Sequence, residues 1–80
     1  MKTTIADITI QYLSRSGKSG IMYGDFEATK EIYDACVRSG VMKGGRKDLS
    51  IIHHFVLNGL GRSSRFRKVM LNHKRIFNTI

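Results

Sequence analysis

The sequence predicts an all-α domain, a small bundle of about four short helices. Apolar residues recur at spacings of three and four along most of the chain. Eight glycines, grouped near 17–24, 40–45 and 59–61, cut it into four such pieces. No proline occurs, so nothing forbids helix inside them. The alternative is an α+β fold, with an N-terminal β-hairpin at about 5–23 followed by three helices.

The two readings part at the first piece. Thr4-Ile5-Ala6-Asp7 has the spacing of a capping box, with Asp shorter than the usual Glu or Gln. Ile5, Ile8, Tyr12 and Leu13 would then line one helical face. "ITIQY" also alternates as a strand and is rich in β-branched residues. In that case "SRSGKS" becomes a hairpin tip that returns through "GIMYG".

The second piece, "DFEATKEIYDACVRSG", opens on a good N-cap, Asp25, and closes on a good C′ residue, Gly40. Phe26, Ile32, Tyr33, Cys36 and Val37 share one side, and charged residues the other. This is a scaffold helix with a solvated, mildly acidic face. In the third piece Asp48 or Ser50 caps "LSIIHHFVLNG". Ile51, Ile52, Phe55 and Val56 cover so wide an arc that the helix belongs near the bundle's centre, ending at Asn58-Gly59. The fourth piece, "SSRFRKVMLNHKRIFNTI", is the best patterned. Ser63 or Ser64 caps it. Phe66, Val69, Met70, His73, Ile76, Phe77 and Ile80 form an apolar stripe, and Arg67, Lys68, Lys74 and Arg75 a cationic far side. That stripe could also serve a homodimer.

Eighty residues make a single domain, 1–80, too small for a deep internal active site. No apolar run approaches the length of a membrane span, and "MKTTIADITI" is not a secretory signal. One cysteine, Cys36, excludes an internal disulfide framework and fits a reducing, cytoplasmic setting. The charge distribution is the most informative feature. Residues 1–40 carry Lys2, Arg15, Lys18, Lys30 and Arg38 against Asp7, Asp25, Glu27, Glu31 and Asp34, and are neutral. Residues 41–80 carry Lys43, Arg46, Lys47, Arg62, Arg65, Arg67, Lys68, Lys74 and Arg75 against Asp48 alone. The net charge of +8 therefore lies in the second half. That asymmetry points to a polyanionic partner, DNA or RNA, with an acidic protein surface as the alternative.

"GRSSRFRK", residues 61–68, is the leading candidate site. A helix N-terminus there would offer free N–H groups and the Ser63 and Ser64 hydroxyls. Arg62, Arg65, Arg67 and Lys68 beside it suit phosphate oxygens, with Lys74 and Arg75 farther along the same basic face. The plainer reading is a solvated basic face kept for solubility. Lys43, Arg46 and Lys47, between glycines, could clamp a phosphate backbone in the same way. Arg15 and Lys18 in "SRSGKSG" make a secondary phosphate contact. Gly17-Lys18-Ser19 does end like a nucleotide-binding P-loop, but Tyr12 stands where that motif needs its first glycine. The third helix, "NGLGRS" and the fourth have the outline of a helix-turn-helix, with Ser64, Arg65, Arg67 and Lys68 near base edges. The outline fits poorly, because an arginine falls where an apolar residue would pack. His53 and His54 diverge on a helix, and His73 sits in the apolar stripe, so no metal or other cofactor is expected. No paired acid and base suggests catalysis, so the chain is not expected to be an enzyme. The expected function is nucleic-acid binding by a small regulator, or docking of the basic helix on an acidic protein, such as an enzyme it inhibits.

Overall fold

In a computed structural model of the chain, which describes residues 3–80, Thr4 opens the first helix, α1 (Ile5–Ser16). Both arms of the capping box form. The Asp7 N–H donates to Thr4 Oγ1 at 3.3 Å and the Thr4 N–H to Asp7 Oδ2 at 3.0 Å. A cap of this kind contributes about 1 kcal/mol. The helix buries Ala6, Ile8, Thr9 and Leu13, and the Thr9 hydroxyl satisfies itself on the Ile5 carbonyl at 2.8 Å. The alternative hairpin over 5–23 is therefore absent.

"SRSGKSG" proves to be the end of α1. Gly17 takes φ 67°, while the Lys18 and Gly17 N–H groups reach back to the Leu13 and Ser14 carbonyls at 3.0 and 3.4 Å. This is a Schellman cap, for which glycine is favoured at the left-handed position. A phosphate loop needs a helix to start after its Gly-Lys-Ser, and here one stops. A three-residue strand follows, β1 (Gly20–Met22).

Asp25 then caps α2 (Phe26–Arg38), accepting the Ala28 N–H at 3.2 Å. A second cap of the same type closes it at Gly40, with the Val41 N–H on the Cys36 carbonyl at 2.8 Å. Asp48 opens α3 (Leu49–Gly61), accepting from Ser50 and Ile51. This helix runs past Asn58-Gly59. Gly59 is instead a contact point: a Cβ there would lie 2.9 Å from Ile5 Cδ1, so its absence lets α1 pack close. Ile52, Val56 and Leu60 are almost fully buried. Each contributes about 2 kcal/mol relative to exposure.

The largest departure from expectation lies in residues 64–80. Where a fourth helix was expected, the chain forms a hairpin of β2 (Phe66–Leu71) and β3 (Lys74–Thr79). The fold is therefore α+β, three helices against a three-stranded antiparallel sheet of order β1-β3-β2, and not an all-α bundle. The apolar spacing of 66–80 suits a helix, but Phe, Val, Ile and Thr also favour strands. Tertiary pairing decides between them. Among the described residues β1 pairs with β3 alone, which sets Phe77 opposite Ile21 and Ile76 opposite Met22. Asn72 and His73 make the two-residue turn with φ 51° and 63°, as a primed hairpin turn requires. Gly20 faces Asn78, where a Cβ would meet the Phe77 carbonyl oxygen at 2.7 Å.

The helical stripe proposed as a homodimer surface does not exist as one surface. Phe66 and Phe77 point into the core between sheet and helices, while Val69 and Ile76 pair on the opposite face. His73 is exposed at the hairpin tip, not packed in a stripe.

Candidate nucleic-acid interface

Strand geometry divides the expected basic face. Side chains alternate with a period of two, so Arg67 and Lys68 leave the sheet on opposite sides, as do Lys74 and Arg75. Lys68 and Arg75 share the face that carries Phe66 and Phe77, which is the helix side. Arg67 and Lys74 share the outer face with Val69, Leu71 and Ile76.

The site expected at 61–68 has no helix N-terminus, because α3 ends and β2 begins there. Arg62 is the C-cap residue of α3, where its cation is favoured by the helix dipole. Ser63 Oγ accepts the Arg65 N–H at 3.1 Å within a tight turn, and Ser64 is exposed beside it. Arg65 is engaged elsewhere. Its guanidinium pairs with Asp7 of α1 and ties the α3–β2 turn to the first helix. The Thr4 N–H, and then Arg65, hold the Asp7 carboxyl below its usual range.

The secondary pair is also dispersed. Arg15 lines a groove between α1 and α2 with Glu31 and Asp34. Lys18 stands 3.9 Å from Asp25. Lys18 shares a groove with His73, Lys74 and Arg75 at the hairpin end of the sheet, whereas Arg15 does not lie with the cations of the second half.

Three of the expected residues precede α3. The loop holding Lys43, Arg46 and Lys47 is fixed by the buried Tyr33, whose hydroxyl donates to the Lys43 carbonyl at 2.8 Å and accepts the Arg46 N–H at 3.4 Å. All three side chains are exposed. The Arg46 guanidinium lies 4.1 Å from the centre of the Phe55 ring. Cation and ring attract through the ring quadrupole, which holds the charge beside α3.

Between these cations and the hairpin runs a surface that periodicity did not pick out. α3 is not central to a bundle. Its inward side buries Ile52, His53, Val56, Leu57 and Leu60, while Ser50, Ile51, His54, Phe55 and Asn58 are exposed. Ile51 keeps 47% of its surface and Phe55 43%, although both were expected in the core. The available signal was the polar series Ser50, His54, Asn58 at successive steps of four, which marks a solvent stripe. No lysine or arginine occurs between Leu49 and Gly61.

On the hairpin side a groove of about 160 Å³ separates α3 from the sheet, lined by Tyr23, His54, Leu57, Asn58, Lys68, Arg75 and Phe77. The Arg75 guanidinium lies 5.5 Å from the Tyr23 ring centre and Lys68 Nζ 5.8 Å from that of Phe77. Tyr23 is placed by its N–H, which extends the ladder onto the Arg75 carbonyl at 2.7 Å. The result is a helix face without charges of its own, with Arg46 on the Phe55 side and Lys68 and Arg75 along the groove on the other.

The preceding helix, α2, joins α3 through residues 39–48. A two-helix unit presenting its second helix is thus built from α2 and α3, not from the segments on either side of "NGLGRS". No helix is long and apolar enough to cross a membrane among the described residues. Nor do three His, Cys, Asp or Glu side chains gather there as a metal site would require. Compared with family models, curated proteins and solved structures, the chain matches none.

Proposed function

We propose that the chain binds duplex DNA, laying the exposed face of α3 in the major groove while the flanking cations hold the two phosphate backbones. One observation carries this reading: the uncharged stripe Ser50–His54–Asn58 has Arg46 on its Phe55 side and Lys68 with Arg75 along the groove on the other. The major groove of B-DNA, about 12 Å wide, admits one α-helix, with phosphates along both rims. The deep, narrow major groove of A-form RNA does not, which favours DNA over double-stranded RNA. Phosphate contacts would supply most of the affinity and make it fall steeply with salt.

The test is fluorescence anisotropy of labelled duplex DNA, single-stranded DNA and double-stranded RNA at two salt concentrations. Salt-steep binding that favours duplex DNA is expected. Removal of Lys68 or Arg75 should shallow the salt slope by about one per lost phosphate contact. Flat traces for all three at low salt would sink the proposal.

A second reading rests on the exposed Leu49, Ile51 and Phe55. Large apolar side chains with the Arg46 cation beside them also suit an acidic protein partner, and there the energy would centre on those few residues. Ile51→Ala would then abolish binding to that partner, whereas a loss spread over the cations supports the DNA reading.

A further inference from the structure

We infer that the outward face of α3 discriminates base composition and reads A·T pairs, with Asn58 and Ile51 as the discriminating residues. The inference rests on the DNA reading above and concerns which bases that face accepts.

Guanine shows the major groove two acceptors, O6 and N7, and its usual partner is the donor fork of arginine or a lysine ammonium. α3 has neither from Leu49 to Gly61. The cations beside this face lie on its flanks, Arg46 against the Phe55 ring, Arg75 against the Tyr23 ring and Lys68 over the Phe77 ring. Adenine shows one donor and one acceptor, which the carboxamide of asparagine matches in pairs, and thymine shows a methyl group that apolar side chains cover. The exposed face offers those two chemistries: the Asn58 amide and the Ile51 side chain, with the Phe55 ring beside it. His54 is the one residue of the face whose ring nitrogens serve either base pair.

The spacing is consistent. Ile51 and Asn58 are two helical turns apart, about 10 Å along the axis. At ~3.4 Å per base pair that is roughly three steps of duplex, so both residues reach base edges within one short site. No charged side chain of α3 intervenes to favour a guanine between them.

The experiment titrates the full chain against labelled duplexes of equal length and salt. One has a mixed-sequence A·T centre, one a G·C centre, and one repeats the A·T centre with uracil in place of thymine. A mixed sequence avoids the narrow minor groove of A-tracts, which recruits arginine by shape. The A·T duplex should bind ~10-fold tighter than the G·C duplex, within the range of a good bidentate contact. The uracil duplex, which lacks only the methyl group, should fall between them. Asn58→Ala should remove most of the preference for A·T over G·C with the salt slope unchanged. Ile51→Ser should remove the difference between thymine and uracil. Both positions are exposed, and circular dichroism verifies that the variants fold. Equal affinities, or a preference for G·C, would overturn this inference and leave the DNA reading standing. An A·T preference that survives both substitutions overturns it as well, because the discrimination then lies outside α3. Failure of every duplex to bind overturns the DNA reading itself.

Discussion

Nδ1 of His53 stands 2.9 Å from the Thr29 hydroxyl, and its other ring nitrogen, Nε2, accepts the Gly24 N–H at 2.9 Å. A backbone N–H only donates, so Nε2 is bare and the ring proton sits on Nδ1, donating to Thr29. The Thr29 hydroxyl passes its own proton toward the Asp25 and Phe26 carbonyls, each at 3.2 Å. One neutral histidine thereby joins α3, α2 and the turn after β1. The Tyr23 and Phe26 rings pack around it at centroid distances of 5.2 and 4.7 Å.

This arrangement makes stability depend on pH. Burial pushes the His53 pKa below its ordinary 6.5, against the pull of the Asp25 carboxylate and with the help of His54. The unfolded chain therefore takes up the proton first. The stabilisation is present above about pH 6.5 and is lost as pH falls through the lower folded value. Thermal unfolding should show a Tm that is level above pH 7 and declines below 6.5. His53→Ala should cost about 2–3 kcal/mol through the unpaired Gly24 N–H and the vacated space. Its Tm should fall by roughly 10 °C or more, and the decline just below pH 6.5 should flatten. An unchanged decline in the variant would assign it to another group.

Cys36 offers a chemical probe of the same core. The thiol has no exposed surface, and burial raises its pKa to about 11. The thiolate is the reactive form, so at pH 8 both chemistry and access oppose reaction. An aromatic disulfide reagent should leave the native chain unmodified over minutes and consume one thiol per chain in guanidinium. Rapid native reaction would mean that α2 opens locally at low cost.

The helix starts and the end of α2 were legible because they are written in short-range chemistry: Thr4 with Asp7, Asp25, Asp48 and Gly40 each cap where their type predicts. Gly17, by contrast, closes α1 within a stretch expected to touch phosphate, and α3 runs past Asn58-Gly59. The hairpin was not legible. Its apolar residues fit a three-four period as well as a period of two, and the partner that selects strand, Ile21 in β1, lies more than fifty residues away. The turn also lacks the glycine that usually signals a hairpin, since Asn72-His73 takes its place. Charge composition pointed to an anionic partner but not to the grouping of the cations. Reading the last segment as one helix joined Arg65 at its start with a face of Arg67, Lys68, Lys74 and Arg75, which the strands and the Asp7 contact divide. Lys68 and Arg75 remain together because they fall on one side of the pleat. Ile51 and Phe55 were assigned to the core by hydrophobicity alone, although Ser50, His54 and Asn58 mark that side as solvent.

Tyr33 separates loop order from charge. Its hydroxyl holds the Lys43 carbonyl and the Arg46 N–H, so Tyr33→Phe removes two hydrogen bonds while leaving every cation in place. The fold should lose about 1 kcal/mol. DNA affinity should fall several-fold through the entropy of ordering residues 43–46, with the salt slope unchanged because no phosphate partner is lost. Denaturant unfolding and anisotropy on one preparation check both parts. Unaltered affinity would mean that Arg46 reaches its place through the Phe55 ring without the loop's help.

Arg65 provides the sharpest contrast with the cations proposed to meet DNA. By composition it belongs with Arg67 and Lys68, but in the fold its charge is neutralised by Asp7. Arg65→Ala should therefore leave the salt slope for duplex DNA unchanged, whereas Arg75→Ala should lower it by about one. Its effect should appear in stability instead, and only where Asp7 is ionised. The Thr4 backbone N–H and Arg65 keep the Asp7 pKa below its ordinary 3.8, so the pair contributes above that value and is lost as pH falls through the folded one. Wild type and Arg65→Ala should differ in Tm at pH 6 and converge near pH 2, with the gap narrowing at high salt because both side chains are partly exposed. Should Arg65→Ala instead shallow the DNA salt slope as much as Arg75→Ala does, the guanidinium exchanges Asp7 for a phosphate on binding. The interface would then extend from the groove beside α3 round to the N-terminal end of α1.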